Sequence, residues 1–177
     1  MIMKTDKKRE VLDFEFIFRL MREDYSKNGL DAKSTKYAAR RALSGDEFIE
    51  ALLRNKSKDF SGVYIYNLKC AGIDLSYANL KGAWLSNVEI PRSMLNGSGI
   101  DCAYITGNLK GVDFRDSIIR KSRIEGDLSA ADFSRSIIYR SELTGVFNKT
   151  MMDDIHMIDT TITDKKSYAY LNDTKLH

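Results

Sequence analysis

The sequence predicts a mainly β fold in which the chain winds into a four-sided parallel β-helix closed by a small N-terminal α-helical cap. Three observations predict it. GNLKGVDFRDSIIRKSRIE at 107–125 is followed at once by GDLSAADFSRSIIYRSELT at 126–144, with eight of nineteen positions identical. Large apolar residues recur every five positions from Phe60 to Ile105. The residue two places before each of them, from Val63 onward, is small or apolar and never charged.

The nineteen resolves into fives. The apolar centres are Phe60, Ile65, Cys70, Leu75, Leu80, Leu85, Ile90, Leu95, Ile100 and Ile105. After a step of four come Leu109, Phe114, Ile119 and Ile124; after another, Leu128, Phe133, Ile138 and Leu143; after a third, Phe147, Met152, Met157 and Ile162. A period of five is neither helical (3.6) nor that of a flat strand (2.0). It suits a chain that turns a corner every five residues and sends two side chains inward per side. Four sides make one coil of twenty residues, and coils stacked at about 4.8 Å pair through their backbones. Each step of four removes one corner residue and brings in Gly107, Gly126 or Gly145. Glycine lacks a Cβ and accepts the tight corner that the deletion imposes.

Ala78-Asn79-Leu80-Lys81-Gly82 and Ala131-Asp132-Phe133-Ser134-Arg135 resemble the A(D/N)LXX unit of pentapeptide-repeat proteins. The resemblance covers residues 58–163 and implies a right-handed quadrilateral β-helix. The three shortened sides are a departure from the family pattern.

The division expected is a helical cap at 1–57, the β-helix at 58–163 and a C-terminal tail or cap at 164–177. In the cap, Lys8–Lys27 carries Val11, Phe14, Phe18 and Met21 at helical spacing and stops near Asn28-Gly29. Phe14, Phe16 and Phe18 also alternate as a strand would. Asp31 starts a second helix expected to run through Leu43. Ser44-Gly45-Asp46-Glu47 has capping-box spacing ahead of Phe48, Ile49, Leu52 and Leu53. Solenoid ends expose core and need covering; Tyr168, Tyr170 and Leu171 are placed to serve at the far end.

Composition limits function. The net charge of +3 is too small to argue for nucleic acid or an anionic membrane. Cys70 and Cys102 lack metal-ligand spacing and suggest no disulfide scaffold. No apolar run reaches the length of a membrane span. The N-terminus shows no clean apolar core of a cleaved signal peptide, so the expected location is cytoplasmic, with delivery into a host cell by a signal-less route as the alternative. His156 and His177 have no neighbours forming a nucleophile–base set, and no phosphate loop occurs, so a non-enzymatic protein without cofactor or metal is expected.

Two outward groups are candidates for partner binding. Tyr64, Trp84 and Tyr104 stack on one side, as anchors or as internal coil packing. Around the adjacent corner lie Arg120, Lys121, Arg123 and Arg140 with Ile118, Ile137 and Tyr139, a surface for an acidic partner or a solvated mixed face with Glu125 and Glu142. KYAARRAL at 36–43 reads as a charged outer helix face. Asp74, Asp113 and Asp132 align on another side, with Asp116, Asp127, Asp153 and Asp154 close by. In some pentapeptide-repeat proteins such an acidic rod is thought to mimic duplex DNA on gyrase. Here acids and bases nearly cancel along the repeats, which makes a poor mimic.

The function expected is therefore presentation of a rigid surface to a protein partner. The resemblance admits a secreted bacterial effector, a phage or mobile-element inhibitor of a host complex, a DNA-mimicking modulator of gyrase, or the targeting part of a larger enzyme. Homo-oligomer formation stays open.

Overall fold

A computed structural model describes residues 41–164. The expected helices at 8–27 and 31–40, and Tyr168, Tyr170 and Leu171, lie outside the described residues. In chain order the elements are β1 (Arg41–Ser44), α1 (Gly45–Arg54), β2 (Val63–Tyr66), β3 (Trp84–Glu89), β4 (Gly99–Asp101), β5 (Tyr104–Asn108), β6 (Ile118–Arg120), β7 (Arg123–Asp127), β8 (Ile137–Tyr139), β9 (Glu142–Val146), β10 (His156–Ile158) and β11 (Thr161–Asp164). Every strand pair is parallel. One sheet has seven strands in the order β1-β2-β3-β5-β7-β9-β11, the other four in the order β10-β8-β6-β4. Single bridges such as Asp74↔Met94↔Asp113↔Asp132 and Lys69↔Glu89 continue the ladder on the remaining two sides.

The inward ladders are those the period of five predicts. Leu75, Leu95, Phe114 and Phe133 are each 0% exposed, and the rings of Phe114 and Phe133 stack at 4.7 Å and 6°. Ile65, Leu85, Ile105, Ile124 and Leu143 form a second buried column, and Ile90, Leu109 and Leu128 a third. Only Cys70 and Ile162 among the centres are half-buried. The second inward position holds Ala78, Val88, Ser93, Ser117 or their counterparts, buried except at Gly107, Gly126, Thr150 and Thr160, which are half-buried. Ser122 shows how a buried hydroxyl is tolerated there: its Oγ accepts from the Ala103 amide at 3.0 Å and donates to the Arg120 carbonyl at 2.8 Å.

Corners are made by one residue with positive φ, always two places after the inward centre from Gly62 onward. Fourteen non-glycine residues take φ between 48° and 59°, including Tyr77, Ala130 and Arg135, most of them at these corners. Left-handed backbone costs an L-residue roughly 1–2 kcal/mol, offset here by the pairing it permits between coils. No side-chain type marks these positions, so the sequence pattern did not locate them.

The shortened sides are visible in the register. Leu85 pairs with Ile105, but Val88 pairs with Gly107, so the corner at Asn87 has no counterpart in the next coil. The Asn87 amide instead donates to Thr106 Oγ1 at 2.9 Å. Below this point β5, β7 and β9 run straight through the missing corner. Gly107, Gly126 and Gly145 pair with one another on one edge, at φ 136°, 142° and 153°. A Cβ on each would strike the carbonyl oxygen of the residue stacked before it: Val88, Gly107 and Gly126 in turn.

The helix after Ser44 stands where the capping box places it, and the segment before it differs from expectation. Arg41, Ala42 and Leu43, expected at the end of a helix, form β1, with Leu43 in register with Ile65. The packing of Leu43 in the ladder outweighs its helical propensity. So α1 is inserted between two strands of the same sheet. Its capping box forms as read: Ser44 Oγ accepts from the Glu47 amide, and Glu47 Oε2 accepts from the Ser44 amide at 2.9 Å. Phe48 is fully buried, edge-on to Phe60 at 4.7 Å. Leu53, expected on the apolar face of the helix, is instead 82% exposed.

Candidate protein-docking face

The outer surface of the seven-stranded sheet carries the first candidate group. Tyr64, Trp84 and Tyr104 stand in register on β2, β3 and β5. Their rings meet edge to face, 5.8 Å apart at 74° and 5.3 Å apart at 88°. Tyr66 stacks beside Tyr64 at 5.7 Å, and Arg123 lies over the Tyr104 ring at 5.9 Å. All three column members are half-buried. Burial pushes the Tyr64 phenol up, against the lowering effect of its hydrogen bond with Ser86. Each ring is thus occupied by its neighbours, which is how cross-strand aromatic pairs stabilise a sheet.

The four-stranded sheet is different. Gly99, Ile118, Ile137 and His156 form one outward column, and Asp101, Arg120, Tyr139 and Ile158 the next. Ile118, Ile137 and Ile158 are 44%, 44% and 47% exposed, around a half-buried Tyr139. Ile158 was not singled out by sequence, although it sits one coil below Tyr139 in the same column. The corner between the two sheets is basic, and most of its cations are matched. Arg120 lies 3.6 Å from Asp101, Arg123 3.2 Å from Glu125, and Arg140 3.3 Å from Asp159. Arg140 also covers the Tyr139 ring at 4.9 Å. The structure therefore brings Arg120, Lys121, Arg140, Ile118, Ile137 and Tyr139 together, and leaves Tyr64, Trp84, Tyr104 and Arg123 on the neighbouring side.

The acidic column is broken and neutralised. Met94 separates Asp74 from Asp113 and Asp132, and Met151 follows Asp132. Asp113 is gripped by Nε and one Nη of Arg115, at 2.9 and 2.6 Å, which lowers its pKa. Asp116 is held down likewise by Arg135, at 2.8 Å twice. Asp74 is pushed down to about 2, first by the Ser76 hydroxyl and then by Lys58. Among the described residues no group of three His, Cys, Asp or Glu is placed to hold a metal ion, and no helix is long and apolar enough to cross a membrane.

No family model matches this chain, and no curated protein does. Solved structures are similar to it, among them three pentapeptide repeat proteins. Rfr23, a pentapeptide repeat protein from the cyanobacterium Cyanothece 51142, is 14% identical over 55% of this chain and 69% of its own, with a TM-score of 0.21. A pentapeptide repeat protein of the Arabidopsis thaliana thylakoid lumen is 19% identical over 65% of this chain and 60% of its own, TM-score 0.18. HetL, a pentapeptide repeat protein involved in heterocyst differentiation regulation in Nostoc sp. strain PCC 7120, is 14% identical over 58% and 73%, TM-score 0.18. Scores this low carry no functional argument. The fold assignment stands on the register and ladders of the chain itself.

Proposed function

We propose that this β-helix of pentapeptide repeats is a non-enzymatic interaction protein that docks a protein partner on its four-stranded sheet. One observation carries the reading. Ile118, Ile137 and Ile158 lie on three adjacent strands and expose nearly half their surface, around Tyr139. Isolated surface aliphatics are ordinary, but a contiguous group rimmed by arginines has the make-up of an interface core and its rim. The backbone beneath is held by ladder bonds on every coil, so a partner binds without the cost of ordering it. The rings of the aromatic column already cover one another edge to face, although the Trp84 indole N–H is buried without a hydrogen-bond partner.

The test compares two sets of full-length variants in affinity capture. Ile118→Asp with Ile137→Asp should abolish capture of the specific partner, while Tyr64→Ala leaves it intact. Unchanged capture by the isoleucine variant, folded by circular dichroism, refutes the reading. The identity of the captured protein then separates the finer contexts: a host target of a delivered effector, a complex inhibited by a mobile-element protein, gyrase, or an enzyme that this chain targets.

A further inference from the structure

Ten glycines fall among the described residues. Eight have φ between 65° and 153°, where a side chain is strained. Gly45 has no room, because a Cβ would lie 2.7 Å from the Asn67 carbonyl oxygen. Gly99 has neither reason. It is not among the positive-φ residues, and a Cβ there would meet nothing within 4 Å. Glycine inside a strand weakens it, and one use of the missing side chain is close approach by a ligand or another backbone. Gly99 is also the residue directly in register with exposed Ile118. The docking face thus has a notch and a knob side by side.

On that reading of the face, we propose that its occupant is a second copy of this chain, in an antiparallel two-fold dimer where each Ile118 seats on the other copy's Gly99. The order of the columns supports this. The outer column runs Asp59, Asn79, Gly99, Ile118, Ile137, His156. A two-fold axis along the strand direction, between Gly99 and Ile118, lays this column on itself in reverse. Gly99 then meets Ile118, Asn79 meets Ile137, and Asp59 meets His156. In the next column the same axis sets Asp101 of one copy against Arg120 of the other. Arg120 is suited to this, since its own bond to Asp101 is long at 3.6 Å and its side chain is 54% exposed. A parallel stacking over this column would instead set Ile118 against Ile118 and Gly99 against Gly99, and leave both notches empty. The antiparallel contact is isologous and closes after two copies, so it yields a dimer and no fibre.

The test uses the full chain. Light scattering should find a dimer in the unaltered protein. Gly99→Leu fills the notch without backbone strain, so it should fold normally and weaken dimerisation by about tenfold or more. To fix the geometry, a Gly99→Cys chain is mixed with an Ile118→Cys chain, both carrying Cys70→Ser and Cys102→Ser. A disulfide-linked mixed dimer should form under mild oxidation. A monomer at concentrations up to about 100 μM, a dimer untouched by Gly99→Leu, or folded chains that give no mixed disulfide would each overturn the proposal. Failure here is separable from failure of the docking face. A monomer whose partner capture still depends on Ile118 and Ile137 removes the dimer and keeps the face; capture indifferent to them removes both.

Discussion

A methyl group at position 126 would land on the carbonyl oxygen of Gly107, main chain against main chain, at a residue held at φ 142°. Neither side can yield without breaking the ladder. Gly126→Ala should therefore lose about 3 kcal/mol or more in urea unfolding. Buried serines make a second contrast. Ser122→Ala would strand the Ala103 amide, which its hydroxyl now satisfies, and should cost about 1–3 kcal/mol. The Ser117 hydroxyl is buried with no hydrogen-bond partner in the structure, so Ser117→Ala should leave stability unchanged or raise it by up to about 1 kcal/mol. The sequence foretold that both serines point inward, since both fall two places before a centre. It could not tell the bonded hydroxyl from the unbonded one, because that depends on which amide of the preceding coil lies within reach.

Elements show the same division between pattern and context. The strands below Ile105 were legible because their centres and glycines recur together. The N-terminal capping box was legible because its four residues are contiguous. β1 was not: Arg41-Ala-Leu-Ser44 has no repeat partner in sequence, and it adjoins a real helix. Only its pairing with β2 makes it strand. The candidate site was half legible. Ile118, Ile137 and Tyr139 could be placed outward by counting, but the exposure of the two isoleucines against the half-burial of Tyr139 and Trp84 follows from what surrounds each face. Links between coils add a pH-dependent element. Lys58 reaches Asp74 at 2.9 Å, and the Asp74 carboxyl, ordinarily near 3.8, is held at about 2 mainly by the Ser76 hydroxyl. The unfolded chain thus takes up this proton first as pH falls. Stability from Asp74 is complete above about pH 4 and drains away as pH drops through 2. Solvent screening keeps the effect small, since the side chain is 51% exposed. The difference in urea midpoint between the native chain and Asp74→Asn should accordingly shrink from pH 5 to pH 2, where a constant gap would contradict it.

At the scale of the whole solenoid, stability is close to a sum over stacked coils and their interfaces. Coils of nineteen are interchangeable, because Gly107 and Gly126 occupy the same place in successive coils. Excising residues 107–125 joins Thr106 to Gly126 and keeps every inward position inward. That shortened chain should fold and melt cooperatively, with one strand fewer in each sheet. Excising residues 107–124 instead leaves one residue too many and shifts the side chains that follow out of their ladders, so it should fail to fold. Circular dichroism with thermal melts distinguishes the two.

Where Asn87 has no counterpart, the stack contains the equivalent of an edge dislocation in a crystal: a row of corners that simply ends. Crystals slip along such faults, and here the fault is pinned by the hydroxyl of Thr106. It parts two lattices of unequal repeat. Tandem copying can lengthen the lower lattice without disturbing the upper one, and a lineage of such chains would grow from one side of the fault only.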